Sequence, residues 1–210
     1  LAKVDILNME SILPSAQTRY YRNKLEFTFS DKRWLTRADD TPEETTDMNA
    51  LGFHVPLRFD KILQIEHCHL QADPSNAIRN QIDGFARANN LSYYNLRNHQ
   101  GALRNLIIRT ASTGELMVIV VFAYADEEQV VSLMNFVKTT FPQITSLQYI
   151  INQKKNDTIF DQDIHLFAGR DHIFEQMPAN TGEPLQFKID AKSFYQTNSL
   201  QAIELYKITK

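Results

Sequence analysis

The stretch that decides the fold is LRNLIIRTASTGELMVIVVFAY, residues 103–124. Two apolar segments flank the turn formed by Ser112, Thr113 and Gly114, which predicts a β-hairpin. The second segment is apolar on both faces, and this pattern is typical of a strand in the middle of a sheet. We therefore expect this hairpin to form the centre of the main sheet.

Two helices are predicted on either side of the hairpin. The first covers residues 75–90, with Asp73 as its expected cap. The second starts at Asp126, which stands three residues before Gln129 as in a capping box, and ends at Pro142. The first helix has an apolar stripe of Ile78, Ile82 and Phe85 and a face expected to lie in water, formed by Arg79, Asp83 and Arg87.

Residues 20–30, YYRNKLEFTFS, alternate between apolar and polar positions and predict a half-buried strand. Further strands are expected at 52–58, 61–67, 144–151, 159–166, 172–176 and 185–189, and a last helix near Ser199. The predicted fold class is therefore α+β, a mostly antiparallel sheet with two helices packed on one face. We expect the other face to be open to a ligand or another domain.

Composition excludes several classes of protein. A single cysteine cannot form a disulfide within the chain, and the longest apolar run is about half the length of a membrane-spanning helix. The six glycines are isolated from one another, so neither a P-loop nor a GxGxxG fingerprint is present. Without a leader-like segment we expect a cytoplasmic protein with no membrane partner. Because the chain starts at Leu1 without Met and ends inside an expected helix, we also expect it to be part of a longer protein.

Charge is unevenly distributed although the net charge is only -3. Residues 19–37 carry six basic and two acidic side chains, whereas the predicted acidic loop 38–50 has five acidic and no basic ones. The two segments can pair with each other, or the basic one can face a polyanion. Arginines interleaved with aromatic residues favour RNA weakly; the alternative is that the aromatics are core and the arginines are solvated.

His67, Cys68 and His69 form the densest cluster of metal-ligating residue types. On a strand the two histidines share one face and Cys68 points to the other, so the three cannot hold one ion without a turn. From the pattern alone a buried, inert Cys68 is favoured over a ligand or a nucleophile. No Ser-His-Asp set can be chosen by spacing.

Five segments, in order, resemble the RNA uracil-5-methyltransferases, most closely the branch that acts on 23S rRNA. They are YRNKLEFTFS (21–30), GFH (52–54), DKILQIEHCHLQ (60–71), LRNLIIRT (103–110) and LQFKIDAKSFYQTNSLQAIELY (185–206). The family has an RNA-binding TRAM barrel, a central domain and a Rossmann-like methyltransferase domain. The resemblance implies that residues 1–190 are the central RNA-recognition and iron-sulfur domain and that 191–210 begin the S-adenosylmethionine-dependent domain.

The resemblance also implies residue roles. Gln196 would contact S-adenosylmethionine, with Phe194 and Asn198 shaping that edge of the pocket. Cys68 would be the last of four ligands of a 4Fe-4S cluster, the other three lying upstream of Leu1. The catalytic cysteine and base are expected beyond Lys210, so this chain holds no catalytic residue and is expected to be inactive alone.

The expected function is that of an enzyme fragment that helps to bind and position RNA while the whole protein methylates carbon 5 of a specific uridine in 23S rRNA, with no obligate protein partner. The alternatives are a stand-alone RNA-binding module without catalysis and a tRNA-directed uracil-5-methyltransferase. The side chains expected to contact RNA are Arg22, Lys24, Arg33, Trp34, Arg104 and Arg109.

Overall fold

The computed structural model describes residues 11–36, 47–124, 126–179 and 182–209. Within these ranges the chain forms nine strands and three helices. They are β1 (Lys24–Ser30), β2 (Ala50–Val55), β3 (Arg58–Gln64), α1 (Ser75–Ala88), β4 (Leu103–Thr110), β5 (Leu116–Phe122), α2 (Glu127–Thr140), β6 (Ser146–Ile151), β7 (Ile164–Gly169), β8 (His172–Met177), β9 (Leu185–Asp190) and α3 (Ser199–Ile208).

Seven strands form the main sheet in the order β3-β2-β1-β4-β5-β6-β7. The predicted hairpin is confirmed: β4 and β5 pair antiparallel in the middle of this sheet, and every residue of β5 is buried. All neighbouring strands are antiparallel except β5 and β6, which are parallel and joined by α2. The predicted α+β class with a mostly antiparallel sheet is therefore what the structure shows.

Both long helices pack on one face of the sheet, as expected. Their apolar stripes meet Phe27 and Phe29 of β1, and the rings of Phe85 and Phe136 stack between the two helices at 4.3 Å. Asp126 caps α2 by accepting a hydrogen bond from the backbone N–H of Gln129 at 3.1 Å. Burial of this face supplies the main apolar driving force for folding.

The expectation of a wholly open second face is wrong. The hairpin of β8 and β9 covers the part of that face over β4, β5 and β6, where Ile107 and Ile119 pack with Ile173 and Ile189. Strand β5 is apolar on both faces, so both of its faces need cover from water. The part of this face nearest the start of β1 remains accessible and borders the candidate site.

The charged face of α1 also differs from the prediction. Arg79 is buried, donates from Nη2 to the backbone carbonyl of Glu66 at 2.7 Å, and lies over the ring of Phe27. Asp83 is buried and accepts a hydrogen bond from the Tyr93 hydroxyl at 2.5 Å. The N-cap is Pro74, and no side chain caps the helix, so the expected cap at Asp73 is wrong.

The turn between β2 and β3 lies earlier in the chain than the predicted strands at 52–58 and 61–67 implied. Val55 pairs with Arg58, so the turn consists of Pro56 and Leu57, and Leu57 has φ +64. Residues 38–46 of the predicted acidic loop 38–50 lie outside the described residues, and Ala50 already belongs to β2. No helix in the described ranges is long and apolar enough to cross a lipid bilayer.

Candidate functional site

The SFYQTN motif, residues 193–198, connects β9 to α3 and is held by the start of β1. The backbone N–H of Asn23 donates to the carbonyl of Thr197 at 2.7 Å. Its side-chain Nδ2 donates to the carbonyl of Gln196 at 2.8 Å and to Ser199 Oγ at 2.7 Å. One asparagine therefore fixes the backbone of the motif and the first residue of the following helix.

Arg109 of β4 is a second anchor of the same segment. Its Nη1 donates to the carbonyl of Asp190 at 2.8 Å, and its Nη2 donates to the carbonyl of Ser193. The side chain is buried, and this burial lowers the pKa of the guanidinium, with Asp190 acting in the opposite direction. The prediction that Arg109 contacts RNA is not supported, because its terminal nitrogens are engaged inside the protein.

Glu175 of β8 is the third anchor. It is buried, and its Oε2 accepts a hydrogen bond from Ser199 Oγ at 3.3 Å while its Oε1 accepts one from the backbone N–H of Ser112 at 3.0 Å. Tyr195 lies against the same group, and burial together with the nearby Glu175 raises the pKa of its phenol to about 12. A cavity of about 20 Å³ remains between Arg109, Glu175 and Tyr195.

The anchored motif separates two surface depressions. One of about 300 Å³ is lined by Gln196 and Asn198 together with the apolar face of α3. The other, of about 240 Å³, is lined by Phe194, Lys24 and Glu26. Phe194 is 84% exposed, so its ring is available to a planar ligand. Asn198 has a structural role as well, because its Oδ1 accepts the backbone N–H of Gln201 at 3.0 Å and caps α3.

Lys24 is one of three basic residues that line the second depression, which Glu26 and Asp157 also line. It stands directly opposite Arg109 across the β1–β4 ladder. Burial and the neighbouring Arg109 lower the pKa of its ammonium group, whereas Glu26 raises it. A cation placed at the rim of a depression can bind an anionic group, so the predicted RNA contact of Lys24 remains a prediction that this geometry suits.

Arg104 does not lie on a nucleic-acid surface. It is 1% exposed and donates to the carbonyls of Asn152, Lys154 and Asn156 and to Asp157 Oδ1. Its guanidinium also lies over the ring of Tyr94. The predicted RNA contact is therefore unsupported, and Arg104 instead organises the turn that follows β6.

The remaining predicted RNA contacts lie at the two ends of β1. Arg33 and Trp34 lie beyond the C-terminal end of β1, where the backbone N–H of Trp34 donates to the carbonyl of Ile62 at 2.7 Å. Arg22 precedes the N-terminal end of the same strand and is half-buried. These six residues therefore do not form one continuous surface.

Cys68 is buried, with its backbone N–H and carbonyl both bonded to the side chain of Asn76. The Tyr20 hydroxyl lies 3.0 Å from His67 Nε2 and 3.1 Å from His69 Nδ1. The described residues contain no group of three or more His, Cys, Asp or Glu side chains placed to hold a metal ion. They offer one thiol to an iron-sulfur cluster, so they do not fit that group by themselves.

Sequence reasoning missed Asn23 and Glu175. Asn23 bonds to a residue 173 positions away, and Glu175 bonds to one 24 positions away. Asn23 lies in the segment 21–30 that carries the resemblance, but the sequence gives it no role, and Glu175 lies in none of the five segments. Both act on SFYQTN only after the sheet and the β8–β9 hairpin have formed. The SFYQTN motif was the part of this site that could be identified from the sequence.

The fold is shared with a known RNA-modifying enzyme. The solved structure of tRNA (uracil-54, C5)-methyltransferase from Pyrococcus abyssi, in complex with S-adenosyl-L-homocysteine, superposes with a TM-score of 0.69 over 94% of this chain and 42% of that one. The sequences are 23% identical, so this likeness shows a shared fold alone.

Sequence comparison relates the whole chain to part of larger proteins named as uncharacterized RNA methyltransferases. The relative from Bacteroides thetaiotaomicron is 52% identical over all of this chain and 46% of its own length, and that from Porphyromonas gingivalis is 50% identical over all of this chain and 45% of its own length. A third, from Chlorobaculum tepidum, is 31% identical over 95% of this chain and 41% of its own length. This chain thus spans less than half of each of these three relatives. No protein-family model matches it.

Proposed function

We propose that the protein carrying this chain is an S-adenosylmethionine-dependent RNA methyltransferase that modifies carbon 5 of a uridine. The observation that carries the proposal is the SFYQTN segment, whose backbone is fixed by Asn23 and Arg109 while the side chains of Phe194 and Gln196 are exposed. Similarity over all of this chain to less than half of two larger proteins named as uncharacterized RNA methyltransferases supports it. In this proposal Gln196, Phe194 and Asn198 form the edge of the cofactor pocket.

Within this reaction, the role of this chain is to bind and position the RNA and the cofactor. S-adenosylmethionine, when bound, supplies the methyl group from its sulfonium centre. The Gln196 amide can both donate and accept hydrogen bonds, and the fixed backbone limits the directions in which it points. Preorganisation of this kind reduces the entropy lost on binding. The thiol and the base that act on the uracil ring are assigned to sequence outside this chain.

We further propose that residues 1–190 are an RNA-recognition domain and that 191–210 begin the methyltransferase domain. Support comes from α3, in which Ala202 is the one buried residue while Leu200, Leu205 and Ile208 are exposed. A helix with so much exposed apolar surface is suited to packing against further protein. We assign the cytoplasm as the compartment in which such an enzyme meets its RNA.

The RNA class is the open choice within this proposal. The resemblance of residues 60–71 to the ribosomal branch favours 23S rRNA as the substrate. The fold likeness to an enzyme named for tRNA favours tRNA as the second candidate. Both are single-chain RNAs with unpaired loops, from which a target base must be extruded before it can react.

The experiment uses the protein encoded by the whole reading frame that contains this chain. It is incubated with tritiated S-adenosylmethionine and either transcribed 23S rRNA or transcribed tRNA, and 5-methyluridine is identified by mass spectrometry after nuclease digestion. We expect methyl transfer to one RNA class. Gln196→Ala is expected to weaken S-adenosylmethionine binding by about tenfold, the equivalent of one hydrogen bond lost.

Gln186→Ala is the matched control, since Gln186 is an exposed glutamine on β9. It should bind the cofactor like the unmodified protein. Absence of both cofactor binding and methyl transfer in the unmodified protein refutes the proposal, and equal losses in both variants refute the role of Gln196.

A further inference from the structure

The hairpin of β2 and β3 displays an aromatic ring to solvent. Between the pairs His54–Ile62 and Val55–Arg58 the ladder shifts register, which leaves residues 59–61 as a bulge on β3. Phe59 at this bulge is 64% exposed. An exposed phenylalanine held by a sheet, rather than on a mobile loop, is a rigid surface for a planar ligand.

Arg97 from the segment before β4 lies beside this ring. Its guanidinium carbon is 5.4 Å from the centre of the Phe59 ring, and its Nε donates to Asp60 Oδ2 at 2.6 Å. The Asp60 side chain is 9% exposed, whereas that of Arg97 is 63% exposed. A buried carboxylate thus positions an exposed guanidinium over an exposed aromatic ring.

The segment that carries Arg97 is itself fixed. Asn95 Oδ1 accepts the backbone N–H groups of Arg97 and Asn98 at 2.9 and 3.1 Å, and Asn95 Nδ2 donates to Asp31 Oδ2 at 2.8 Å. Gly101 closes the segment with φ +105, where a Cβ would lie 2.1 Å from the Tyr93 carbonyl oxygen. The ring and the guanidinium therefore have defined positions before any ligand arrives.

Among the described residues near this pair, most charged side chains are basic. Arg58 is exposed beside Phe59, Lys61 follows Asp60, and Lys32 lies next to β3 because its carbonyl accepts the N–H of Ile62. The nearby carboxylates Asp31 and Asp60 each accept a hydrogen bond from the protein. We call Arg58, Phe59, Lys61 and Arg97 the bulge surface.

We propose that the bulge surface binds unpaired RNA, with a nucleobase stacked on Phe59 and the guanidinium groups of Arg97 and Arg58 contacting the flanking phosphates. Stacking on an aromatic ring combined with a basic rim is how proteins hold single-stranded nucleic acid. An acidic protein partner would use the basic groups but would leave the exposed ring without a role. The choice of RNA rests on the proposed function, and it adds a contact region separate from the SFYQTN motif.

The test measures binding of a fluorescein-labelled single-stranded RNA to the protein encoded by the whole reading frame, by anisotropy over a series of salt concentrations. Phe59→Ala is expected to weaken binding about fivefold or more without changing the salt dependence, because the loss is one stacked base. Arg97→Ala is expected to weaken binding and to reduce the slope of log Kd against log salt by about 0.7, the value for one phosphate on a single strand. Phe59→Trp should retain binding.

Tyr124→Ala and Lys138→Ala are matched controls, an exposed aromatic after β5 and an exposed cation on α2. They should bind RNA like the unmodified protein, and thermal unfolding of every variant separates lost contacts from lost folding. The inference is overturned if folded Phe59→Ala and Arg97→Ala variants bind RNA normally, or if the unmodified protein binds none. Cofactor binding and methyl transfer measured in parallel separate the two proposals, since RNA binding through this surface with neither cofactor binding nor methyl transfer would refute the proposed function alone.

Discussion

Arg109 donates from Nη1 to the backbone carbonyl of Asp190 at 2.8 Å, which joins the middle of the main sheet to the last residue of β9. Its second bond, to the carbonyl of Ser193, reaches the first residue of the SFYQTN motif. The position of the motif therefore depends on a buried cation whose partners are backbone oxygens. The Asp190 carbonyl also accepts the backbone N–H of Ser193 at 3.1 Å, so removal of the arginine affects the Ser193 carbonyl more.

Replacement of Arg109 by Met should destabilise the protein by about 2 kcal/mol, because two partly buried carbonyls lose a charged donor while apolar volume is kept. It should also weaken cofactor binding, since residues 193–198 lose one of their anchors. Urea unfolding and equilibrium dialysis with S-adenosylmethionine measure the two effects. Arg58→Met, at an exposed arginine, is the stability control and should change unfolding by less than about 0.5 kcal/mol. Unchanged cofactor affinity in folded Arg109→Met would contradict the positioning role.

Arg104→Met should destabilise the protein more, by about 3 kcal/mol, because Arg104 bonds to three carbonyls and one carboxylate from the turn after β6. Arg104→Lys should restore little, since an ammonium group cannot reproduce the planar fork. Chemical denaturation of both variants measures the change in the free energy of unfolding for each. Full recovery by lysine would show that charge alone, without the hydrogen-bond geometry, accounts for the effect.

Much of the main sheet was predictable from periodicity, whereas the arginines were not. Leu25, Phe27 and Phe29 alternate with polar residues, and this local pattern indicates which face of β1 is buried. Arg79 and Arg104 look solvent-facing in any local window. Arg104 is buried because three backbone carbonyls from residues 152–156 converge on it, and Arg79 is buried because the Glu66 carbonyl and the Phe27 ring lie against it. Such contacts depend on tertiary structure that spacing does not encode.

The candidate site was likewise predictable from the sequence only in part. The SFYQTN motif was visible in the sequence, and its placement beside β1 is consistent with the predicted role of Gln196. The bulge at Phe59 was not visible, because the sequence pattern places residues 59 and 60 between two strands, 52–58 and 61–67, and the register shift depends on pairing with β2. Arg97 likewise gains its partner, Asp60, from an element 37 positions earlier in the chain.

The thiol of Cys68 should react slowly in the native chain. It is buried, and Asn76 fixes its backbone on both sides. Access by a thiol reagent then requires local or global unfolding, so the rate should rise steeply with urea. Cys68→Ala should cost about 1 kcal/mol through the small cavity it leaves. The assay is Ellman titration over time, and immediate stoichiometric reaction without denaturant would contradict the buried placement.

The ion pair of Arg97 and Asp60 should make stability depend on pH. The hydrogen bond from Arg97 holds the pKa of the Asp60 carboxyl below its ordinary value of 3.8. A carboxyl whose pKa is lower in the folded than in the unfolded protein contributes stability above its ordinary pKa, and that contribution is lost as pH falls through the lowered value. Urea unfolding should therefore separate the unmodified protein from Arg97→Met near neutral pH, and the difference should vanish in acid. Lys138→Met, at an exposed cation without a described ion pair, should show no such convergence. A carboxyl pKa of Asp60 that stays low in Arg97→Met, followed by nuclear magnetic resonance, would show that another group holds the charge, and the bulge surface would then lose the element that positions its guanidinium.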